Sequence, residues 1–290
     1  MHSLYATTSD NSRRRELLNK TEKLSVLYHD IFDYPLTFAE LIKWNSSENF
    51  SSRAPDKQIS SRDGYYFLKG RESLIYKRGF RERISARKME IVKKASKVLS
   101  LIPGIKMVAV TGSLAMKNSV EDSDIDLMII TEKGTLWTTR AIAYMVIHTF
   151  GLKVRKPNDL KEKDKLCLNL WMDESDLVWE RNDRNIYTAH EIAQILPLVN
   201  KNETYEKFLN SNRWILKFWP NAVKIVNSDL KIVNSRARET FLEKIAYKIQ
   251  LNHMKSKITK ETITKTRAIF HPQDWGKVVL LRLNKNNGIF

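Results

Sequence analysis

Apolar residues recur at helical spacing from Leu17 to Phe32, and the pattern stops at Asp33-Tyr34-Pro35, where proline disfavours helix in the residue before it. Thr37 opens a second helical stretch, TFAELIKW, with Glu40 three residues on, the spacing of a capping box. A polar, turn-rich run follows, and then GYYFLKG reads as a strand bounded by Gly64 and Gly70. From Arg71 to Leu101 the pattern is again helical, with Ile84, Ile91, Ala95 and Val98 on one face and a dense set of arginines and lysines around it. Arg78, Arg81, Arg83, Arg87, Lys88, Lys93 and Lys94 supply that charge, and Pro103-Gly104 ends the helix.

The next segment, IKMVAVTGSLAMKNSVEDSDIDLMIIT, changes the periodicity from helical to alternating. Ile105 to Val110 reads as a buried strand, Thr111-Gly112-Ser113 as a tight turn and Leu114 to Lys117 as the start of a short helix. Ser119 to Ser123 is a polar loop in which Asp122 reads as a loop or cap residue, and Asp124 to Ile130 is a second strand. Strand alternation puts Asp124 and Asp126 on one face and Ile125 and Leu127 on the other. Two carboxylates side by side in an otherwise buried strand repel each other unless a cation lies between them. A hard divalent ion with oxygen preference, Mg²⁺ or Mn²⁺, fits that need. The Gly112-Ser113 turn offers backbone N–H groups to an anion, and glycine leaves room for a phosphate to approach.

Strand, Gly-Ser turn, ten residues and Asp-x-Asp on the next strand together resemble the DNA polymerase beta-like nucleotidyltransferase superfamily. The resemblance implies an α+β fold with a small mixed-sheet core. It also implies that Asp124 and Asp126 bind two metal ions, and that Gly112 and Ser113 grip the phosphates of an NTP such as ATP, with Lys117 adding charge. It calls for a third acid on a later strand. Leu166 to Met172 is the strand at that place, and its centre is Asn169. Asp173, two pleats along, sits on the same face if the alternation is regular. Either Asn169 weakens the metal site, or Asp173 completes it, or nucleotide is bound without efficient transfer.

Helix, proline turn, helix, polar gap and glycine-bounded strand over 17–70 resemble a winged helix, although its recognition segment, Ser46 to Ser61, is poor helix material. A small helical packing domain accounts for the same pattern. The expected organisation is a disordered start (1–16), the winged-helix-like domain (17–70), a basic connecting helix (71–102), the nucleotidyltransferase core (103–183) and a C-terminal helical bundle (184–290). In the last part, Asn185 to Val199 reads as an amphipathic helix capped by Thr188 and Glu191 and stopped near Pro197. His190 and Glu191 either serve that helix or face the nucleotide, where one of them supplies a base. Tyr205 to Trp219 and Glu239 to Lys257 read as further helices. A tail helix is expected to dock through Trp275 and Val278. A bundle after such a core resembles small antibiotic-modifying transferases at the level of fold.

Composition adds three limits. The 290 residues are 42% hydrophobic, enough to build a packed core. The lone cysteine, Cys167, excludes an intramolecular disulfide and fits a reducing cytoplasm. The longest apolar stretch, Ala141 to Leu152, is too short to span a bilayer, and the N-terminus lacks a signal pattern. The net charge of +17 is uneven: 51–100 carries +9 and 201–290 carries +11, while 101–200 carries −2. Basic flanks attract polyanions, so the alternative to an NTP-using transferase is a nucleic-acid-binding regulator whose core senses nucleotides. Acceptor, nucleotide preference and oligomeric state leave no mark in the sequence.

Overall fold

The computed structural model describes residues 22–47, 57–156, 159–225, 240–255, 262–270 and 275–287. Helix α1 covers 22–30 and is followed by β1 (Leu36–Thr37) and α2 (Phe38–Lys43). The expected capping box on α2 is present: Thr37 Oγ1 accepts from Glu40 N, and Glu40 Oε2 accepts from Thr37 N. Strands β2 (Ile59–Arg62) and β3 (Tyr65–Leu68) form a hairpin, and β1 joins it in the order β1-β3-β2. The winged-helix reading turns on residues 46–61. Of these, 48–56 lie outside the described residues and Ile59–Ser61 are strand.

Helix α3 (Ser73–Ser100) is the long basic helix. Ile84 and Ala95 are buried as expected, but the stripe continues through Val92 and Leu99 rather than Ile91 and Val98, which are half-buried. Several of its cations are paired within the protein rather than presented as a free basic face. Arg78 donates to both oxygens of Glu40, at 2.7 and 2.9 Å. Arg87 pairs with Glu121 and Asp164. Lys88, wholly buried, donates to the carbonyls of Glu121 (3.2 Å) and Ser123 (2.6 Å) and to Asp164 (3.0 Å). Buried charge needs such partners. Together with a Ser119 N–H···Ser85 Oγ bond of 3.0 Å, these contacts anchor the loop that runs into Asp124 onto α3.

The central sheet has the order β7-β4-β5-β6-β9-β8. It contains β4 (Ile105–Val110), β5 (Ile125–Thr131) and β6 (Leu166–Asp173), with the four-residue α4 (Gly112–Ala115) between β4 and β5, and α5 (Leu136–Thr149) between β5 and β6. Strands β4 and β5 are antiparallel, and β5 and β6 are parallel. After α6 (Ile186–Ala193) the chain returns as β7 (Leu196–Asn200), antiparallel to β4. The expected helix therefore stops well before Pro197, at a residue whose successors pair with the sheet. Its N-cap is Asn185, which accepts from the Tyr187 and Thr188 N–H groups, not Thr188. Helices α7 (Thr204–Ser211) and α8 (Phe241–Met254) follow. Strands β8 (Thr262–Ile263) and β9 (Arg267–Ile269) come next, and β9 pairs with β6. The final helix, α9 (Trp275–Asn287), docks through buried Val279 and Leu283, while Trp275 and Val278 lie on its exposed side. The described residues of 184–290 thus supply helices and three strands.

Each face of the sheet has its own core. Ile125, Leu127 and Ile129 of β5 pack with α3 and α5. Met128 and Ile130 face the other way, toward α1, α6 and α7. That second core carries the N-terminal segment: the Trp44 ring stacks on His190 at 3.9 Å, with Tyr28, His29 and Trp219 around it. His29 Nδ1 lies 2.8 Å from the Ser25 carbonyl oxygen, so Nδ1 carries the proton and Nε2 accepts. His190 Nε2, 3.1 Å from His29 Nε2, must then donate. A further proton on His29 would set two N–H groups face to face. Burial is the main cause that holds His29 down at about 4 and His190 well below its ordinary value. Below about pH 6.5 the unfolded chain takes up protons that the folded chain refuses, so stability falls as pH drops toward the folded value. The pair's contribution is read against a His29→Gln/His190→Gln variant: the difference in melting temperature between wild type and variant is expected to shift against wild type between about pH 7 and about pH 5, and a difference that does not change over that range would refute the neutral pair.

Candidate active site

β4 and β5 meet the site at the same end. Thr111 N donates to the Asp126 carbonyl oxygen at 3.1 Å, and the chain then turns through Gly112 with φ +59°. This turn needs glycine for a reason internal to the protein. A Cβ on Gly112 would stand 2.6 Å from Asp126 Oδ2. The carboxylate and the turn are thus packed against each other before any ligand is considered. Ser113 is exposed beside them, its Oγ at a long 3.4 Å from Ser119 Oγ.

Asp124 and Asp126 project to one side of β5. Oxygens of both and the Cys167 sulfur lie within 4.8 Å of one another. Asp126 Oδ1 accepts from Asn169 Nδ2 at 2.8 Å. Asp124 Oδ2 accepts from Arg155 Nη1 at 2.8 Å, and Arg155 also pairs with Glu162 at 2.5 Å. Burial, and then the negative charge of Asp124, push the Asp126 carboxyl up to about 7, against the Asn169 bond and Arg155. Burial first, then both aspartates, hold the Cys167 thiol well above its ordinary range, so it stays protonated at neutral pH.

β6 explains the third position. Asp126 pairs with Cys167, but Met128 pairs with Leu170, so β6 holds one extra residue there. Such a bulge reverses the parity of every later side chain. Before it, Cys167 and Asn169 face the aspartates. After it, Leu170 and Met172 face that side and Trp171 faces α5. Asp173 therefore falls on the opposite face from Asn169, which corrects the expectation of regular alternation. Its carboxylate is already occupied by the Gly134 N–H at 2.5 Å and by Ser175 N and Oγ at 2.7 and 2.6 Å. Lys117 is exposed, at φ +55°, and does not line the cleft. Asp122 is exposed in the loop.

These groups open into a cleft of about 510 Å³. Gly112, Ser113, Asp124, Asp126, Arg155 and Asn169 form one wall. Tyr187 and Glu191 of α6, its C-cap Gln194, and Phe32, Phe270 and Trp275 also line the cleft, Phe270 beside Asn169, whose carbonyl oxygen accepts from Phe270 N at 2.8 Å. The sequence gives no sign of Arg155. It lies in an irregular stretch, and only a parallel bridge from Val154 to Leu166 brings it beside β6. The wall from α6 was legible only as the His190-Glu191 pair. Both line the cleft, but His190 Nε2 is committed to His29, whereas Glu191 bonds only Gln194 among the described residues.

Residues 78–193 match the family model of a nucleotidyltransferase domain. No curated protein gives a significant match to the chain. Among the described residues, no helix is long and apolar enough to cross a membrane.

Proposed function

We propose, from the premise that residues 78–193 are a nucleotidyltransferase domain, that this protein moves a nucleoside monophosphate from an NTP to an acceptor hydroxyl and releases pyrophosphate. The observation that carries the reading is the convergence of Asp124 and Asp126 against the Gly112 turn at the mouth of one cleft. Donor chemistry fits a hard divalent cation such as Mg²⁺ or Mn²⁺. Two carboxylates supply anionic oxygen, and the Asn169 Oδ1 atom is buried without a hydrogen-bond partner. Cys167, held as a thiol, offers no anionic ligand to such an ion. Asp124, Asp126 and the Asn169 amide would hold the ion, which when bound neutralises charge on the triphosphate.

The protein's own groups account for the rest of the grip. On this reading Gly112 lets the backbone come close to the phosphates and Ser113 Oγ donates to a phosphate oxygen; both residues line the cleft. The Arg155 guanidinium, beside the same cleft wall, gives a second positive group for the leaving pyrophosphate. Lys117 has no part in this grip.

Pyrophosphate release from an NTP, with glycerol as surrogate acceptor, tests the reading. Asp124→Ala and Asp126→Ala are each expected to lower the rate by roughly 1000-fold, since metal-borne charge stabilisation is worth several kcal/mol. Melting curves should stay cooperative in both variants. Transfer that survives both substitutions sinks the assignment.

A further inference from the structure

Besides Asp124, Asp126 and the Arg155-paired Glu162, a further acid, Glu191, lines the cleft. Glu191 sits on α6 and does not cap it: the cap of that helix is Asn185. Glu191 lies outside the 4.8 Å cluster that Asp124, Asp126 and Cys167 form, so it does not share their ligand position. Among the described residues it has no cation partner. Its one described hydrogen bond is from Gln194 Nε2 to Oε1, at 2.8 Å. The same Gln194 nitrogen reaches the Gly112 carbonyl oxygen at 3.4 Å. Gln194 therefore ties α6 to the Gly-Ser turn and fixes where the Glu191 carboxylate stands relative to it. The groups facing that carboxylate are Asp126 from β5, Tyr187 from its own helix and Tyr28 from α1.

We propose that Glu191 is the general base of the transfer, the residue that takes the proton from the acceptor hydroxyl. This inference rests on the nucleotidyl-transfer reading above. As the acceptor oxygen attacks the α-phosphorus, its O–H bond breaks and the proton passes to the Glu191 carboxylate, which becomes a neutral acid. The new O–P bond forms while the bond from the α-phosphorus to the β-bridging oxygen breaks. Pyrophosphate leaves with that electron pair. Asn169 cannot take this proton, because a carboxamide is no base at neutral pH. Burial first, and then the charge of Asp126, push the Glu191 carboxyl up to about 8, against the Gln194 bond.

The experiment compares wild type with Glu191→Gln in steady-state pyrophosphate release from MgATP, with glycerol as acceptor, over a range of pH. The expected result is a kcat about 100-fold lower in Glu191→Gln, with KM for MgATP and the melting temperature nearly unchanged. In wild type, kcat should rise with pH to a plateau, and the variant should lack that limb. Glu191→Asp, which keeps a carboxylate, should retain the limb at reduced kcat, and it serves if the glutamine variant fails to fold. A glutamine variant within about threefold of wild type, with the limb intact, overturns the role of Glu191 and leaves the transfer reading standing. Absence of pyrophosphate release in wild type with any of the four NTPs would overturn both.

Discussion

Gly112→Ala is expected to abolish transfer and to cost roughly 1–3 kcal/mol of stability. Two effects act together. The residue stands at φ +59°, where an L side chain is strained, and its Cβ would lie 2.6 Å from Asp126 Oδ2. The carboxylate must then swing away, which breaks the 2.8 Å bond from Asn169 and moves a proposed metal ligand. Denaturant melts and pyrophosphate release report the two effects separately. Gly64→Ala is the control, because Gly64 has a similar φ of +80° with nothing within 4 Å of the added Cβ. It should show the strain without loss of activity. If Gly112→Ala loses stability but keeps its rate, the turn does not set the geometry of the site.

The second large effect belongs to Asn169→Asp. Asn169 Nδ2 donates to Asp126 Oδ1, and the substitution replaces that donor with a like charge. The metal-free protein should lose about 1–3 kcal/mol, the cost of a broken buried polar contact. Added Mg²⁺ should restore it, and the Mg²⁺ concentration for half-maximal activity should fall about tenfold, because a third anionic oxygen joins the ion's shell. Asp173→Ala should do the reverse. It removes the partner of Gly134 N and Ser175 N, so it should lower the melting temperature and leave the Mg²⁺ requirement unchanged. An unaltered Mg²⁺ requirement in Asn169→Asp would mean that Asn169 lies outside the shell of the ion.

The two strands and the turn of the candidate site were legible because local rules govern them. Alternation places Asp124 and Asp126 on one face of β5, and the Gly112 turn follows from residue type alone. The capping box at Thr37 and Glu40 was equally local. What escaped the sequence depends on partners far along the chain. The bulge in β6 that turns Asp173 away is a property of its pairing with β5. β7 reads as the tail of a helix because its apolar run adjoins α6, and only pairing with β4 makes it a strand. Lys88 looks like any cation on a basic helix until the carbonyls of the 119–124 loop close over it. The stripe of α3 shifted for the same reason: burial follows what packs on the helix, and the 3.6-residue period fits Val92 as well as Ile91. Arg155 comes to the cleft from irregular chain and carries no sequence motif, whereas Glu191 of α6 was legible only as one of a pair with His190.

The central claim is that the α-phosphorus of an NTP is the atom attacked. Incubation with Mg²⁺ and NTP labelled separately at the α- and γ-phosphates tests it most directly, with glycerol as acceptor and Asp126→Asn as the parallel sample. The account predicts α-label in a nucleoside monophosphate or its glycerol ester and γ-label in pyrophosphate, both dependent on Mg²⁺ and both lost in the variant. Release of γ-label as inorganic phosphate, with the α-label retained in a nucleoside diphosphate, would contradict it.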